Sequence, residues 1–319
     1  MDTERRCPQV AVLGGSGFVG APVCTALGEA GCEVVSVARR ANPAVPSIAV
    51  DLLTLSSAEL TGLLRTALPD PARPHAVVNV AGAVWGVTEA EMVRTNEVLV
   101  ETLCAAMAGL PGRGRLIQLG TVYEYGVIPD GSSASEDTPA LPVSPYGVSK
   151  LRATRSVLAA AERGAAEALV LRVSNVIGRA APPGSLLGNV AGQLEQARGL
   201  GTAAVLNVAP RGACRDFIDV RDVADAVVRA VSAPARLVNR AVINVGTGAA
   251  IPVRVLVRAL AEVAGVPARI IESEVQEHIR GAGVRWQQVD IRLAARLLNW
   301  APRRSLDDSL ATLWKAAIR

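Results

Sequence analysis

The sequence predicts an α/β fold: a doubly wound parallel sheet with helices on both faces, accompanied by a smaller mixed α/β domain. Short apolar runs alternate with helical stretches of ten or more residues from Val10 to Val173, the pattern of parallel strands joined by crossover helices. The first apolar run leads directly into a glycine-rich turn and a helix. A Tyr-x-x-x-Lys pair, Tyr146 and Lys150, opens a later helix in a chain that has only three Tyr and two Lys.

Composition and charge exclude several classes of function. Half of the 319 residues are hydrophobic, yet no apolar run approaches the ~20 residues that cross a bilayer. The charged start, Met1–Arg6, leads into a strand without the apolar core of a signal peptide, so we expect a cytoplasmic protein with no membrane partner. The formal charge of +4 is spread along the chain, and no nucleic-acid partner is predicted.

Residues that bind metals or form disulfides show no suitable spacing. The five cysteines are odd in number and contain no Cys-x-x-Cys pair, and the two histidines, His75 and His278, lie far apart. We therefore predict neither a disulfide framework nor a metal site.

The first strand, Val10–Leu13, runs into a glycine-rich turn and then a helix over Ala21–Ala30. Gly14 permits the tight turn, and Gly17 and Gly20 allow close approach of a pyrophosphate and close packing of helix on strand. The free N–H groups and dipole of the helix N-terminus favour an anion. This order predicts a dinucleotide-binding loop of the Rossmann type. Its predicted cofactor-binding residues are Gly14, Ser16, Gly17, Phe18, Val19 and Gly20.

The end of the second strand, Glu33–Ala38, indicates which dinucleotide binds. An acidic residue there would bind the ribose of NAD, but the chain has Ala38 followed by Arg39 and Arg40. Guanidinium groups suit a 2′-phosphate, because Arg pairs with phosphate through two hydrogen bonds. NADP(H) is therefore the preferred cofactor, with NAD(H) as the alternative. A solvated basic loop would have the same sequence.

The third strand, Ser47–Val50, ends at Asp51 and Leu52, which are predicted to border the adenine of the cofactor. A surface turn explains Asp51 equally simply. The fourth strand, Ala76–Val80, runs into Ala81 and Gly82, whose small size would let the backbone pass beside the cofactor.

A fifth strand, Arg115–Leu119, ends at Thr121. Ligands of open parallel sheets bind beyond the carboxyl ends of the strands, so Gly14, Gly82 and Thr121 are expected to face one crevice. The amphipathic helix Glu89–Met107 before this strand contains Asn96.

Tyr146 and Lys150 lie four residues apart, so a helix places both on one face. A phenol with a pKa of about 10 is a poor catalyst at neutral pH, and a nearby cation lowers that pKa. The pair is a candidate for general acid–base catalysis, although an ordinary exposed helix start has the same spacing. The stretch Gly126–Pro145 before it is predicted to be a loop across the mouth of the crevice.

After the sixth strand, Ala168–Val173, the alternation becomes less regular. The elements predicted here are the loop Gly178–Gly188, the helix Asn189–Arg198, the strand Ala204–Val208, the helix Val223–Val231, the strand Val242–Val245, the helix Pro252–Ala264 and a final helix after Pro302. We predict a dinucleotide-binding domain over 1–174, to which 215–250 returns, and a smaller substrate-binding domain over 175–214 and 251–319.

These motifs together resemble the extended short-chain dehydrogenase/reductases, in particular the nucleotide-sugar epimerases, dehydratases and ketoreductases. The resemblance runs nearly end to end and is specific for this group, but it says little about the substrate. Its markers are Gly14–Gly20, Asn79–Gly82, Thr121 with Tyr125 and Gly126, Tyr146–Lys150, Leu171–Asn175, Arg215–Ile218, Asn244–Gly248 and Asn299–Pro302.

The resemblance implies a role for each matching residue. Tyr146 would exchange a proton with the sugar oxygen, Lys150 would tune this phenol and hold the nicotinamide ribose, and Thr121 would hydrogen-bond the reacting oxygen. Asn96 matches the helix Asn that completes such sites, with a buried Asn at a helix bend as the alternative. Asn175 and Arg215 fall where the family grips the nucleotide diphosphate. The substrate-binding set implied is Thr121, Val122, Tyr123, Asn175, Arg215 and Arg285, with Arg280 as an alternative to Arg285.

Departures from the family pattern favour one reaction. In the 4,6-dehydratases Asp and Glu directly follow the Thr, whereas this chain has Val122 and Tyr123. The basic residues Arg39 and Arg40 favour an enzyme that consumes NADPH. The resemblance therefore implies a ketoreductase acting on C4 of a dTDP-4-keto-6-deoxyhexose. An NAD-dependent epimerase and a non-catalytic NADP-binding regulator are the alternatives, and a homodimer through the helices Glu89–Met107 and Val148–Arg163 is expected as in relatives.

Overall fold

A computed structural model of the protein describes residues 8–112, 114–208, 210–273 and 284–318. The strands are β1 (Gln9–Leu13), β2 (Glu33–Ala38), β3 (Ser47–Ala49), β4 (His75–Asn79), β5 (Arg115–Thr121), β6 (Glu167–Val173), β7 (Asn175–Ile177), β8 (Ala204–Val208), β9 (Cys214–Asp219), β10 (Val242–Val245), β11 (Ala250–Pro252) and β12 (Ala268–Glu272). The helices are α1 (Gly20–Glu29), α2 (Ser57–Ala67), α3 (Glu89–Val93), α4 (Leu99–Ala108), α5 (Pro145–Glu162), α6 (Leu186–Leu200), α7 (Val220–Ser232), α8 (Ala235–Val238), α9 (Val253–Ala264), α10 (Arg292–Leu298) and α11 (Leu306–Ala317).

The large sheet has seven strands in the order β10-β6-β5-β4-β1-β2-β3, and every neighbouring pair is parallel. The predicted doubly wound parallel fold is confirmed. The chain adds strands outward from β1 to β3, then crosses to β4 and adds strands in the other direction. The carboxyl ends of β1 and β4 therefore border the crevice in which ligands of such sheets bind.

Two apolar cores cover the two faces of the sheet. On β1, Val10 and Val12 pack with α1, α7 and α10, whereas Ala11 and Leu13 pack with α2, α4 and α5. This separation follows from the alternation of side chains along a strand. The sheet is buried on both sides, which explains why its strands read as continuous apolar runs.

A third apolar core is formed by α6, α9, α11 and β8. β7, β9 and β11 make a three-stranded sheet, and β8 pairs with β12. β10 and α7 pack with the large sheet, as do Ala294, Leu298 and Trp300. The predicted boundaries of the two domains stay a prediction, and the last three residues fall in the range assigned to the smaller domain.

Several elements differ from the sequence-based expectation, and β7, β9, β11, β12, α8 and α10 correspond to no predicted element. The helix expected over Glu89–Met107 contains a π-helical turn, Arg94–Val98, between α3 and α4. α2 was not predicted, although Ser56 and Glu59 form a capping box at its start. In the described part of the chain no helix is long and apolar enough to span a bilayer. The same residues contain no group of three or more His, Cys, Asp or Glu side chains suited to a metal ion.

A buried carboxylate ties the start of α7 to the chain after α10. Asp222, 1% exposed, accepts hydrogen bonds from the backbone N–H groups of Arg303 and Arg304 and from the Arg304 guanidinium. Asp225 pairs with the same guanidinium but is 35% exposed.

We expect Asp222→Ala to lower the free energy of unfolding by about 3 kcal/mol, because it leaves buried donors without an acceptor. Asp225→Ala is the matched control and should cost less than about 1 kcal/mol, because its pair is partly solvated. Urea denaturation of both variants measures the difference, and equal losses would contradict the argument.

Candidate active site

The glycine-rich turn between β1 and α1 depends on the absence of side chains. Gly14 has a φ of 80°, a left-handed conformation that favours glycine. A Cβ on Gly20 would lie 2.1 Å from the carbonyl oxygen of Gly14, so only glycine lets the helix begin this close to the strand. Gly17 is exposed. The turn therefore has the shape that a dinucleotide pyrophosphate needs to approach the backbone.

The N-terminus of α1 adds an electrostatic preference to this shape. Val19 occupies the N-cap position without a side-chain hydrogen bond, and Ser16 and Phe18 are half-buried beside it. An α-helix leaves its first N–H groups without intrahelical partners, and these groups carry the positive end of the helix dipole. The residues present thus fit a bound dinucleotide phosphate.

Asn42, which the sequence analysis missed, anchors the loop after β2 to this turn. Its buried side chain donates from Nδ2 to the carbonyl oxygen of Gly15 over 2.8 Å. Arg39 and Arg40 precede it and are exposed, and neither forms an ion pair with any residue in the described ranges. Their guanidinium groups remain available to a phosphate. Nothing in the sequence marks Asn42, because its partner lies 27 residues away.

The ends of β3 and β4 differ in what they offer a cofactor. The Asp51 carboxylate is exposed and accepts from the backbone N–H of Leu53, which caps a short 3-10 turn, and Leu52 is buried. Ala81 lies directly against the glycine turn, since a Cβ on Gly14 would be 2.9 Å from its Cα. The contact of Asp51 with adenine stays a prediction.

Thr121 ends β5 and begins a short 3-10 turn, Val122–Glu124. It is buried, its Oγ1 accepts from the backbone N–H of Tyr123, and its own N–H donates to the Glu124 carboxylate over 2.9 Å. The hydroxyl is therefore held at the carboxyl end of β5, where the sequence analysis placed it.

Tyr146 and Lys150 lie in the first two turns of α5. The Lys150 ammonium is buried and donates to the carbonyl oxygen of Leu119, two residues before Thr121. Burial lowers the pKa of Lys150 to about 8, and the nearby Glu124 carboxylate opposes that shift. The half-buried Tyr146 ring packs edge-on against Tyr123, with centroids 6.1 Å apart. The Lys150 ammonium thus reaches the end of β5, and the Tyr146 ring packs on the turn that follows Thr121.

Asn96 lies in the π-helical turn, and both ends of its amide bind the protein. Oδ1 accepts from the N–H of Ala83, while Nδ2 donates to the Ala83 carbonyl and to the Ser149 hydroxyl. Ser149 in turn donates to the Tyr146 carbonyl oxygen. These bonds hold the loop after β4 against the start of α5. A direct catalytic contact of Asn96 stays a prediction.

Three residues predicted to bind substrate are buried beside this site. Tyr123 donates from its hydroxyl to Asn175 Oδ1 over 3.1 Å, and Asn175 Nδ2 donates to the Asp216 carbonyl and to Gln287 Oε1. Val122 is buried in a small apolar cluster. Both amide donors of Asn175 are therefore occupied by the protein itself.

Arg215 is also engaged by the protein. Its guanidinium donates to the backbone carbonyls of Cys214, Val284 and Arg285, and it is buried. Arg285 is exposed. Binding of a diphosphate by Arg215 and Arg285 stays a prediction. Arg280 lies outside the described residues.

The structure combines a glycine turn that fits a dinucleotide with Thr121, Tyr146 and Lys150 around the end of a neighbouring strand. This combination is typical of a nicotinamide-dependent enzyme on a doubly wound sheet. Residues 10–246 match the profile of the NAD dependent epimerase/dehydratase family. The chain belongs to this family.

Relatives of known activity cover almost the whole chain. It is 44% identical over 315 residues to dTDP-6-deoxy-L-talose 4-dehydrogenase (NAD(P)(+)) of Kitasatospora kifunensis, which covers 97% of this chain and 95% of that protein. It is 33% identical over 291 residues to UDP-glucose 4-epimerase of Azospirillum brasilense, covering 84% and 81%. The structure of MoeE5 in complex with UDP-glucose and NAD is 30% identical, has a TM-score of 0.80 and covers 96% of this chain and 97% of that one.

The predicted membership of the extended short-chain dehydrogenase/reductase group is confirmed, and the chain is an NAD(P)-dependent enzyme of this type. The preference between the two cofactors and the roles of individual residues stay predictions.

Substituting Gly20 by Ala tests the glycine turn. The new Cβ would push the Gly14 carbonyl from its place, so we expect NADPH binding to weaken by about tenfold or more. Gly28→Ala in the same helix is the matched control, because a Cβ there meets no atom within 4 Å. That change should leave binding intact and stabilise α1 by up to about 1 kcal/mol. Fluorescence titration and thermal unfolding measure both effects, and unchanged binding by Gly20→Ala would disprove the role of the turn.

Proposed function

We propose that the chain is an NADPH-dependent ketoreductase that reduces the C4 ketone of a dTDP-4-keto-6-deoxyhexose in deoxysugar biosynthesis. The observation that carries this proposal is the convergence of Thr121, Tyr146 and Lys150 at the carboxyl end of β5. When bound, the nicotinamide supplies the hydride for such a reduction.

The three side chains divide the remaining work. Tyr146 donates its phenolic proton to the ketone oxygen as negative charge develops there. The Lys150 ammonium, held by the Leu119 carbonyl, stabilises the phenolate that this transfer leaves. Thr121 offers a fixed hydroxyl to the same ketone oxygen. Each group is held by the protein before substrate arrives, so little reorganisation is needed.

The relatives support the choice of substrate. Those named above act on, or are bound to, a nucleotide sugar, and the chain is a nucleotide-sugar-modifying enzyme of the same kind. The name of the Kitasatospora enzyme specifies a dTDP-6-deoxyhexose and position 4. Dehydrogenation at C4 and reduction of the corresponding 4-ketone are one reaction in opposite directions. The same name gives both NAD and NADP, so the cofactor preference depends on this chain's own residues.

The turn after Thr121 argues against a dehydratase. Val122 is buried among apolar side chains, and the Tyr123 hydroxyl is bonded to Asn175. The nearest carboxylate, Glu124, is fully buried and paired with Arg172. No carboxylate of this turn is therefore available to protonate a leaving hydroxyl.

The alternative is an NAD-dependent epimerase, which the Azospirillum relative supports. It would keep its cofactor between turnovers and interconvert two stereoisomers without net oxidation or reduction. The second alternative, a non-catalytic NADP-binding regulator, does not explain why Thr121, Tyr146 and Lys150 occur together around the end of β5.

Assembly and location complete the proposal. We infer a homodimer in which α4 and α5 pack against the same helices of a second copy. Its support is a shallow depression between the two helices, lined by Ala105, Ala108 and Ala159, where small side chains let other helices approach. The predicted cytoplasmic location is part of the same proposal.

Replacing both Arg39 and Arg40 by Ala tests the cofactor preference. We expect kcat/KM for NADPH to fall by about 10- to 100-fold, because charged hydrogen bonds to the 2′-phosphate are lost. The value for NADH should stay near that of the wild type and serves as the internal control. An equal fall for both cofactors, or NAD retained tightly by the purified protein, would favour the epimerase.

Tyr146→Phe tests the proton donor. We expect kcat for a 4-keto sugar nucleotide to fall by about 10²- to 10⁴-fold, while NADPH binding is unchanged. Tyr125→Phe is the control, because the Tyr125 hydroxyl donates to Asn244 and contributes about 1 kcal/mol to stability rather than a proton to substrate. Stopped-flow and steady-state NADPH oxidation report both variants. Normal turnover by Tyr146→Phe would rule out this assignment.

A further inference from the structure

Glu124 is a fully buried carboxylate for which the proposed reaction has so far given no role. Its Oε1 accepts from the backbone N–H of Thr121, and its Oε2 accepts from Thr154 Oγ1 and from Arg172 Nε, each over 2.9 Å. A buried charge is tolerated only when it is paired and hydrogen-bonded. These three donors meet that requirement.

The donors belong to the three elements that build the site. Thr121 ends β5, Arg172 lies on β6, and Thr154 lies on α5 one turn beyond Lys150. Residues four apart share a helix face, so Tyr146, Lys150 and Thr154 form one row. The carboxylate therefore connects the row of catalytic side chains on α5 to the threonine on β5.

Charge adds a second link between Glu124 and the site. Among the described residues, Glu124 is the anion that acts on the buried Lys150 ammonium, and it raises the pKa that burial lowers to about 8. The other charged or titratable groups described in this layer are the Arg172 guanidinium, which lies 4.6 Å from the centroid of the Tyr125 ring, and the phenols of Tyr123, Tyr125 and Tyr146.

We propose that Glu124 is a positioning residue for the ketoreductase reaction, fixing Thr121 relative to α5 and placing a negative charge in the layer that contains the Lys150 ammonium. The part that concerns turnover rests on the proposed function. The part that concerns Lys150 is a property of the protein itself and can be measured without substrate.

The test compares Glu124→Gln with the wild type, both saturated with NADP. The chain has only two lysines, so ¹³C-lysine labelling gives two side-chain signals, and exposed Lys315 is the internal reference. We expect Lys150 to titrate at a lower pH in Glu124→Gln, because the opposing anion is gone. With a 4-keto sugar nucleotide that the wild type reduces, we expect kcat of the variant to be about 10- to 100-fold lower. The fall of kcat at alkaline pH should also begin at a lower pH in the variant.

Glu167→Gln is the matched control, since Glu167 pairs with Arg115 across the same two strands at their opposite ends. It should leave the Lys150 titration and kcat unchanged. An unchanged Lys150 titration in Glu124→Gln overturns the proposal. If the wild type reduces no 4-keto sugar nucleotide, the proposed function fails, while the titration still decides the role of Glu124.

A Glu124→Gln protein that does not fold is replaced by Thr154→Val, which removes one donor to Oε2 and keeps the charge. With a substrate in hand, reduced kcat in Thr154→Val and its rescue in Thr154→Ser support the proposal. Wild-type kcat in folded Thr154→Val overturns it.

Discussion

The site depends on α5 being held against the sheet by polar groups that water does not reach. Lys150 donates to the Leu119 carbonyl, and Thr154, one turn later, donates to Glu124. A buried donor left without an acceptor costs about 1–3 kcal/mol, so the arrangement that satisfies both donors is strongly preferred over any slid or rotated one. The bonds that stabilise α5 therefore also fix the direction of the helix face that carries Tyr146 and Lys150. The same buried hydrogen bonds thus determine both the stability of α5 and the geometry of the site.

A second buried carboxylate connects the two parts of the chain. Asp216 on β9 accepts from Ser174 Oγ, from the N–H and hydroxyl of Thr247 and from the N–H of Gly248. Burial raises the pKa of Asp216, and these hydrogen bonds oppose the shift. Three of its donors lie in the turn after β10, so the small sheet of β7, β9 and β11 is attached to the carboxyl end of the large one.

The sequence predicts structural features correctly where they depend on residues close together in the chain. A strand, glycine turn and helix fix Gly14 and Gly20 within a dozen residues, and helical spacing alone places Tyr146 and Lys150 on one face. Prediction fails where the partner is distant: Glu124 sits inside a recognised motif, but its burial and its bonds to α5 and β6 exist only after the strands pair. α2 was missed for a different reason. Its capping box is readable in the sequence, but the helix buries only Leu60, Leu64 and Ala67, which is a weak helical pattern.

The hydrogen bonds of Asn175 connect its amide, through Tyr123, to the Tyr146 ring. Its two N–H donors are bonded to Asp216 and Gln287, and its oxygen accepts from Tyr123, whose ring packs against Tyr146. A hydrogen bond from Asn175 to a diphosphate therefore requires one of its existing hydrogen bonds to break. Because one bond replaces another, the contact adds less to affinity than a bond from a free donor would. Turning the Asn175 amide to free a donor would also move its Oδ1, which accepts from the Tyr123 hydroxyl. Because the Tyr146 ring packs on the Tyr123 ring, we propose that a diphosphate bound at Asn175 would act on the orientation of Tyr146 through Tyr123. Binding energy from the distant end of the substrate would then favour the transition state at the reacting end.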